Sequence, residues 1–435
     1  MPKGETLRIH NPNFEGRTLT CLYSYNGVEF QNNYIFPGNP TNFSSETLKR
    51  LTNWVAIVSA LGLFSVEYFD YLKTDFELTD EEAAFFEKLI FFGLGEFRYI
   101  NKIAVNKKVK VLGKHLETKP SQSKAPDSTL QHPLLLNGGG KDGSVSALLL
   151  GAAGINFTWF QRGNSVAQDN VRKQWNAPAI IVERQLDPKR MNGKYSGHRP
   201  MSAGIAFLAV LSAYLYGFDS VIASNELSAN EGNFTLEGFL INHQYSKSME
   251  FENDIQTLLT LFGIEVSYFS ALRPLHELQI ALIAAQLEDK QLAAITSCNN
   301  GTKTGKWCLK CPKCAFVVLT ITAASNSAAE EIWGYQVINN PSLLPYLKAL
   351  LDPKIDKPFE CVGTLDECQL AAYLILQNKQ LALEKPLLAL LNRFASGKNI
   401  DLLYKLSESL IPKPYEDVLK QIQIYLDRWN TVRPN

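Results

Sequence analysis

The stretch Leu134-Leu135-Leu136-Asn137-Gly138-Gly139-Gly140-Lys141-Asp142-Gly143-Ser144 decides the fold, because it reads as a buried strand turning through glycines into a helix. Glycines lack Cβ atoms, so three in succession let the backbone take positive φ and approach an anion closely. Their N–H groups can point inward, and the following helix adds its positive N-terminal end. Lys141 supplies a mobile cation, and Asp142 can hold a Mg²⁺ that bridges phosphates. The ligand expected here is a nucleotide. A Walker loop needs four residues between its first Gly and Gly-Lys-Ser/Thr, and a dinucleotide loop needs Gly-x-Gly-x-x-Gly; the stretch has neither spacing. The bland alternative is a Gly-rich connection between strand and helix, against which stands the Lys-Asp pair at a helix start.

Working outward, strands and helices alternate. Leu134 to Asn137 is followed by a helix from about Ser144, strands at Ile155 to Phe160 and Ala177 to Glu183, a helix from Met201 to Tyr216, and strands at Ser220 to Ser224 and Ile264 to Ser270. Apolar strands separated by helices imply an α/β fold with a parallel sheet covered on both faces. Ligands of such sheets sit beyond the carboxyl ends of the strands, which places 138–144, 161–164 and 225–230 on one rim. Before this unit, alternating residues on either side of Asn26-Gly27 predict a hairpin. Leu48, Leu51, Val55, Val58 and Leu61 predict a helix, and Thr79-Asp80-Glu81-Glu82 a capping box. From Asn106 to His132 the chain turns polar and reads as a loop or linker. After Cys314 it is helical again, with a capping box at Thr364 to Glu367. The expected domains are an N-terminal α+β domain (1–125), an α/β domain with the cysteine cluster (130–335) and a helical C-terminal region (336–435).

A chain of 435 residues allows two or three cores. Lys+Arg and Asp+Glu are equal at 43 each, so the net charge is zero. Proteins that grip nucleic acid carry a basic surplus, so no nucleic-acid partner is expected. The N-terminus leads into no apolar segment, and the apolar run Ala203 to Phe218 is short for a bilayer, so neither export nor membrane insertion is expected. Four of the seven cysteines crowd into Cys298-x9-Cys308-x2-Cys311-x2-Cys314, a metal pattern and not a disulfide framework. That places the protein in the cytoplasm. Four thiolates close a tetrahedron around Zn²⁺ and leave no open position, so the metal would be structural. An iron–sulfur cluster and four unligated thiols are the alternatives. Cys21, Cys361 and Cys368 read as core residues.

Two polar stretches lie where substrates are read, past strand ends and at a helix start: Gly197-His198-Arg199-Pro200, and Ser224-Asn225-Glu226-Leu227-Ser228-Ala229-Asn230 with Asn242-His243-Gln244-Tyr245-Ser246-Lys247 behind it. Each residue alone has a bland reading as a helix-start, turn or solvated residue. Their density favours a site.

The glycine stretch resembles the Ser-Gly-Gly-x-Asp-Ser loop of the ATP-pyrophosphatase (PP-loop) family, which splits ATP to AMP and pyrophosphate to activate a carboxylate or carbonyl. Asn137 or Gly138 stands for the leading Ser, and Gly143, followed by Ser144, for the closing one. Such a loop followed by four cysteines also occurs in 7-cyano-7-deazaguanine synthase, which activates a carboxylate on a deazaguanine; amidation of that kind is the competing enzymatic reading. A non-catalytic, zinc-stapled binding protein is the other. The intervening motifs, namely Gly-His-x-Pro at 197–200, Ser-Asn-Glu-x-Ser-Ala-Asn at 224–230, Trp307-Cys308-x-x-Cys311-Pro312-Lys313-Cys314 and Lys357-Pro358-Phe359-Glu360-Cys361-Val362-Gly363-Thr364, resemble the UDP-N-acetylmuramoyl-L-alanyl-L-glutamate epimerases. That resemblance spans most of the chain. It implies a PP-loop (HUP-like) nucleotide-binding domain and peptidoglycan precursor synthesis, with Mg-ATP used to invert the terminal L-Glu of the UDP-sugar dipeptide.

On that reading Gly138, Gly139, Gly140, Lys141, Asp142 and Ser144 bind ATP, with Asp142 on Mg²⁺. Glu226 and His243 are the candidates for proton transfer, with Cys361 as a second base. His198, Arg199, Asn225 and Asn230 contact substrate, while Lys247 and Arg273 hold pyrophosphate or the glutamate side-chain carboxylate. The small-molecule partners are ATP and the UDP-muramoyl dipeptide.

Overall fold

The computed structural model describes residues 4–38, 40, 45–117 and 132–432. The N-terminal elements are β1 (Thr6–Ile9), β2 (Asn13–Glu15), β3 (Thr18–Tyr25), β4 (Val28–Ile35), α1 (Ser45–Ala60), β5 (Tyr71–Leu78), α2 (Asp80–Gly93), α3 (Gly95–Ile100) and β6 (Lys110–His115). Asn26 and Gly27 have φ of 47° and 77°, the pair of left-handed residues that a two-residue hairpin turn demands. Every second residue of β3, namely Leu19, Cys21 and Tyr23, is buried. The Thr79 side chain accepts from the Glu82 N–H and the Glu82 side chain reaches back, closing the capping box of α2.

Next come β7 (Pro133–Leu136), α4 (Lys141–Ala152), β8 (Thr158–Arg162), α5 (Val166–Arg172), β9 (Ala179–Leu186), α6 (Met201–Tyr216), β10 (Ser220–Ala223), the small hairpin β11 (Phe234–Leu236) and β12 (Phe239–Ile241), α7 (Met249–Leu261) and β13 (Ser267–Ser270). Strand order is β13-β10-β7-β8-β9-β4-β3-β1-β5-β6. The pairs from β13 to β9 are all parallel. β9 then pairs antiparallel with β4, so the N-terminal strands continue the sheet of the α/β unit. From β7 the chain winds outward through β8 to β9, then returns through α6 to β10 on the other side of β7. The order reverses between β7 and β10, and a crevice opens there at the carboxyl ends of the strands.

The remaining helices are α8 (Glu277–Ala284), α9 (Asp289–Ala294), α10 (Pro312–Ala324), α11 (Asn326–Trp333), α12 (Leu344–Leu351), α13 (Leu365–Gln377), α14 (Lys385–Phe394) and α15 (Asp417–Val432). Successive strand residues divide between two cores, as the period of two requires. Leu135, Ile222 and Phe269 pack among α4, α8, α10 and the C-terminal helices. Leu134, Val221 and Tyr268 pack with α1, α2, α6, α7 and the N-terminal strands. No described helix is long and apolar enough to cross a membrane.

Three sequence expectations need correction. Residues 110–115, expected within a loop, form β6, an edge strand whose lysines mask the buried Val109 and Val111 and protect the edge from pairing. The polar run Lys119 to Asp127 lies outside the described residues. The strands expected from Ile155 and Ile264 begin later, at Thr158 and Ser267, because the N–H groups of Ile155 and Ile264 close the preceding helices on Leu150 O and Leu259 O.

One buried clamp fixes the rim. Arg273, just past β13, donates from Nε and Nη2 to Glu252 Oε2 of α7 at 3.0 and 2.8 Å, from Nη1 to Glu226 O at 2.7 Å, and from Nη2 to Lys247 O at 2.6 Å. The two side chains are 0% and 1% exposed. Removing one partner strands a buried charge, so Arg273→Met should destabilise the protein by about 3–5 kcal/mol. Urea unfolding checks this; an unchanged midpoint would contradict it.

Candidate active site

A cavity of about 710 Å³ occupies the crevice between β7 and β10. Gly138, Gly140, Asp142 and Gly143 form one wall, Ser224 and Asn225 face them from the end of β10, and Arg162 and Asn164 from the end of β8. Gly139 has φ of 78°, and a Cβ there would lie 2.6 Å from the Ala167 carbonyl carbon on α5. Nothing lies within 4 Å of a Cβ built on Gly138. The loop is therefore pressed against α5 through its middle glycine and open to a ligand at its first. Not all of its amides face inward: Gly139 N donates to Asn137 Oδ1 at 2.8 Å and Lys141 N to Ser297 Oγ at 3.0 Å.

Lys141, expected as a mobile cation, is wholly buried and ion-paired to Asp142 and Glu277. The reason is topological: it is the first residue of α4 and faces Glu277, the first residue of α8. Ser144 is also buried, its hydroxyl donating to Gly140 O at 3.1 Å. The cations on the cavity wall are Arg162, Lys247, Lys303 and Lys313, and Asp142 is the carboxylate among them. Burial would raise the Asp142 pKa, but Lys141 and Lys313 hold it below its usual value. Such a wall suits a polyphosphate with its metal ion.

Across the cavity stands Cys361. Lys247 Nζ is 3.2 Å from its Sγ, Lys313 Nζ donates to its carbonyl, and His243 hydrogen-bonds its thiol. The His243 Nδ1 pairs with Glu96, a residue 147 positions away on α3. Burial raises the thiol pKa, yet Lys247 and His243 bring it below its usual value. Burial alone would lower the pKa of His243, but Cys361 and Glu96 lift it to about 9. The result is a cysteine–histidine pair oriented by a carboxylate, with the thiol pKa lowered, the arrangement that favours an activated cysteine. His198, its ring 4.3 Å from that of His243, is held neutral down to about 3 by burial and the charge of His243. Glu96, His198 and His243 bring ligand atoms within 4.8 Å of one another.

The other expected residues divide. Asn225 lines the cavity and is anchored by its N–H to Ser270 Oγ at 2.7 Å. Glu226 is buried with Oε1 unpartnered. Arg199 is half-buried, with Nε and Nη1 unpartnered. Asn230 is exposed and accepts from Met249 N at 2.7 Å, so it ties down the start of α7. Arg273 does not reach a ligand, because the clamp uses its donors.

The Sγ atoms of Cys298, Cys308, Cys311 and Cys314 lie within 4.8 Å of one another, a geometry that can hold a metal ion. Cys308 and Cys314 are 3.7 Å apart, close to the edge of about 3.8 Å that a tetrahedron with Zn–S bonds of about 2.3 Å requires. Cys314 N donates to Cys311 Sγ at 3.4 Å, and Leu309 takes φ of 50° so that the loop can turn back. A polynuclear cluster would hold its thiolates further apart.

Sequence reasoning missed Arg162, Lys303, Lys313, Glu96 and Glu277. Lys313 carried a local signal, lying between two of the metal-pattern cysteines. Glu96 and Glu277 carried none, since each meets its partner only through the tertiary fold.

The MurL N-terminal domain matches residues 2–271, and the MurL C-terminal domain matches residues 294–401. Three curated relatives, each named UDP-N-acetyl-alpha-D-muramoyl-L-alanyl-L-glutamate epimerase, are similar over most of their length. The Micromonospora sp. protein is 30% identical over 78% of both chains. The Salinispora tropica protein is 30% identical over 77% of this chain and 75% of its own. That of Xanthomonas oryzae pv. oryzae is 28% identical over 79% of both. This chain belongs to the MurL family.

Proposed function

We propose that the cavity is the active site of an ATP-dependent epimerase. It inverts the terminal L-glutamate of UDP-N-acetylmuramoyl-L-alanyl-L-glutamate through an acyl-adenylate, with release of AMP and pyrophosphate, in peptidoglycan precursor synthesis. The observation that carries this reading is the pairing, across one cationic cavity, of an open glycine loop carrying Asp142 with Cys361, whose thiol faces Lys247 at 3.2 Å. The relatives' names support the substrate.

A Cα–H beside a carboxylate resists deprotonation, because the carbanion would form next to a negative charge. When a carboxylate oxygen attacks the α-phosphorus of ATP and pyrophosphate leaves, that charge is removed and the carbonyl becomes an electron sink. Gly138 admits the phosphates closely, Lys247, Lys303 and Lys313 offset their charge, and Asp142 would hold Mg²⁺. The Cys361 thiolate then takes the Cα proton, and its electron pair moves onto the carbonyl. His243, oriented by Glu96, keeps Cys361 ionised. Glu226 is the candidate to return a proton from the other face, and water hydrolyses the anhydride. The four-cysteine site is assigned a structural Zn²⁺ that anchors α10 and with it Lys313.

In D₂O the D-Glu product should carry deuterium at Cα, in step with AMP formation. Cys361→Ser should keep pyrophosphate release while losing at least about 100-fold in inversion and exchange. Undeuterated product, or ADP and inorganic phosphate as products, would overturn the mechanism.

The raised pKa of His243 keeps the imidazolium at neutral pH and loses it as pH rises through about 9. Iodoacetamide should therefore alkylate Cys361 at a lower pH than it does an ordinary thiol, whose pKa is about 8.5. His243→Ala should move that reactivity to higher pH. Equal profiles in the two proteins would contradict the thiolate–imidazolium pair.

Elemental analysis should find one zinc per chain, lost in Cys311→Ser/Cys314→Ser. Iron, or undiminished metal in that variant, would contradict a structural zinc.

A further inference from the structure

Beyond the glycine loop, the cavity runs to Arg162 and to Ser202 and Ile205 at the start of α6. Arg162 ends β8 opposite Val182 of β9, and paired residues of a parallel ladder share a face, as does Arg184 two positions on. Arg162 and Arg184 are thus neighbours on the side covered by α6. Arg162 Nη1 lies 3.6 Å from a Cβ built on Gly204 in α6, and Arg190 Nη1 lies 3.0 Å from one built on Gly62. Arg199, two residues before α6, brings a guanidinium whose Nε and Nη1 are buried without partners.

Among the described residues none of these four arginines has an ion pair with a carboxylate. Burial lowers the pKa of all four, that of Arg162 to about 10, and neighbouring arginines lower three of them further. Guanidinium groups stay charged regardless, so the fold holds these like charges near one another with no carboxylate ion-paired to them among the described residues. The positive end of the sixteen-residue α6 adds to the same field. An anion with several oxygens in a fork-matching geometry resolves this arrangement.

We propose that Arg162, Arg184, Arg190 and Arg199 form a receptor for a diphosphate ester, joined to the glycine-loop cavity through Arg162, the one of the four that lines it. The diphosphate can come from a nucleotide sugar or from ATP itself. Only the identity of the sugar nucleotide rests on the function proposed above. In that case the cleft holds two polyphosphates: the loop grips the one that is split, and the arginines grip the one that anchors the substrate for attack.

The test uses the full-length protein and calorimetric titration with UDP, UMP and Mg-ATP, comparing wild type with Arg184→Gln and Arg190→Gln. Wild type should bind UDP more tightly than UMP, and each variant should weaken UDP binding about 10-fold or more. An equal loss for Mg-ATP with UDP unaffected would keep the diphosphate receptor and name ATP as its source. Melting without ligand adds a readout that a structural arginine would move the other way: relieving like-charge repulsion should leave the melting temperature unchanged or raise it. Undiminished affinity for both UDP and Mg-ATP overturns the proposal, as does a fall in melting temperature in both variants. Absence of pyrophosphate release would sink the proposed reaction and leave this binding result standing.

Discussion

Glu277 holds the site together. It is wholly buried at the first turn of α8, between Lys141 of α4 and Lys313 of α10. Burial pushes its pKa up, and the two ammonium groups oppose that shift. Taking charges out of water is costly, and such a group is tolerated only while its partners stay in place. Three elements are thereby locked in register. Lys141 sets where α4 begins and so where the glycines crest; Lys313 sets α10 and donates to the Cys361 carbonyl.

That lock ties the four-cysteine site to the cavity wall at Cys361. Cys311 and Cys314 flank Lys313 in sequence, and Cys311 caps the start of α10. A metal ion there would fix the helix end that carries Lys313, and through it both Glu277 and Cys361. On the opposite side, the Arg273 clamp fixes the carbonyls of Glu226 and Lys247. The cavity is held by buried charge on two sides and left cationic in the middle.

Local patterns were the legible part. The Asn26-Gly27 turn, the capping boxes at Thr79 and Thr364, the bounds of α6 and the glycine crest all follow from short-range rules, and all stand where the residues place them. Hidden in the sequence was whatever depends on which side chain meets which. Lys141 follows three glycines and reads as a ligand cation, but its neighbour in space is Glu277. Arg273 reads as an anion holder, but its neighbour is Glu252. Cys361 reads as a core thiol, but Lys247 and His243 face it, and Glu96 stands behind His243. β6 escaped notice because an edge strand needs lysines that make it look like a loop.

Adenylation of the glutamate carboxylate in this cavity is tested most directly by oxygen labelling. Substrate carrying ¹⁸O in the α-carboxylate of its terminal glutamate is turned over with unlabelled ATP and water, and the AMP is analysed by mass spectrometry. Attack of that carboxylate on the α-phosphorus, followed by hydrolysis at the carbonyl, leaves one ¹⁸O in AMP. AMP free of label alongside inverted, fully labelled glutamate, with the water oxygen also absent from the AMP when the run is repeated in H₂¹⁸O with unlabelled substrate, would contradict an acyl-adenylate.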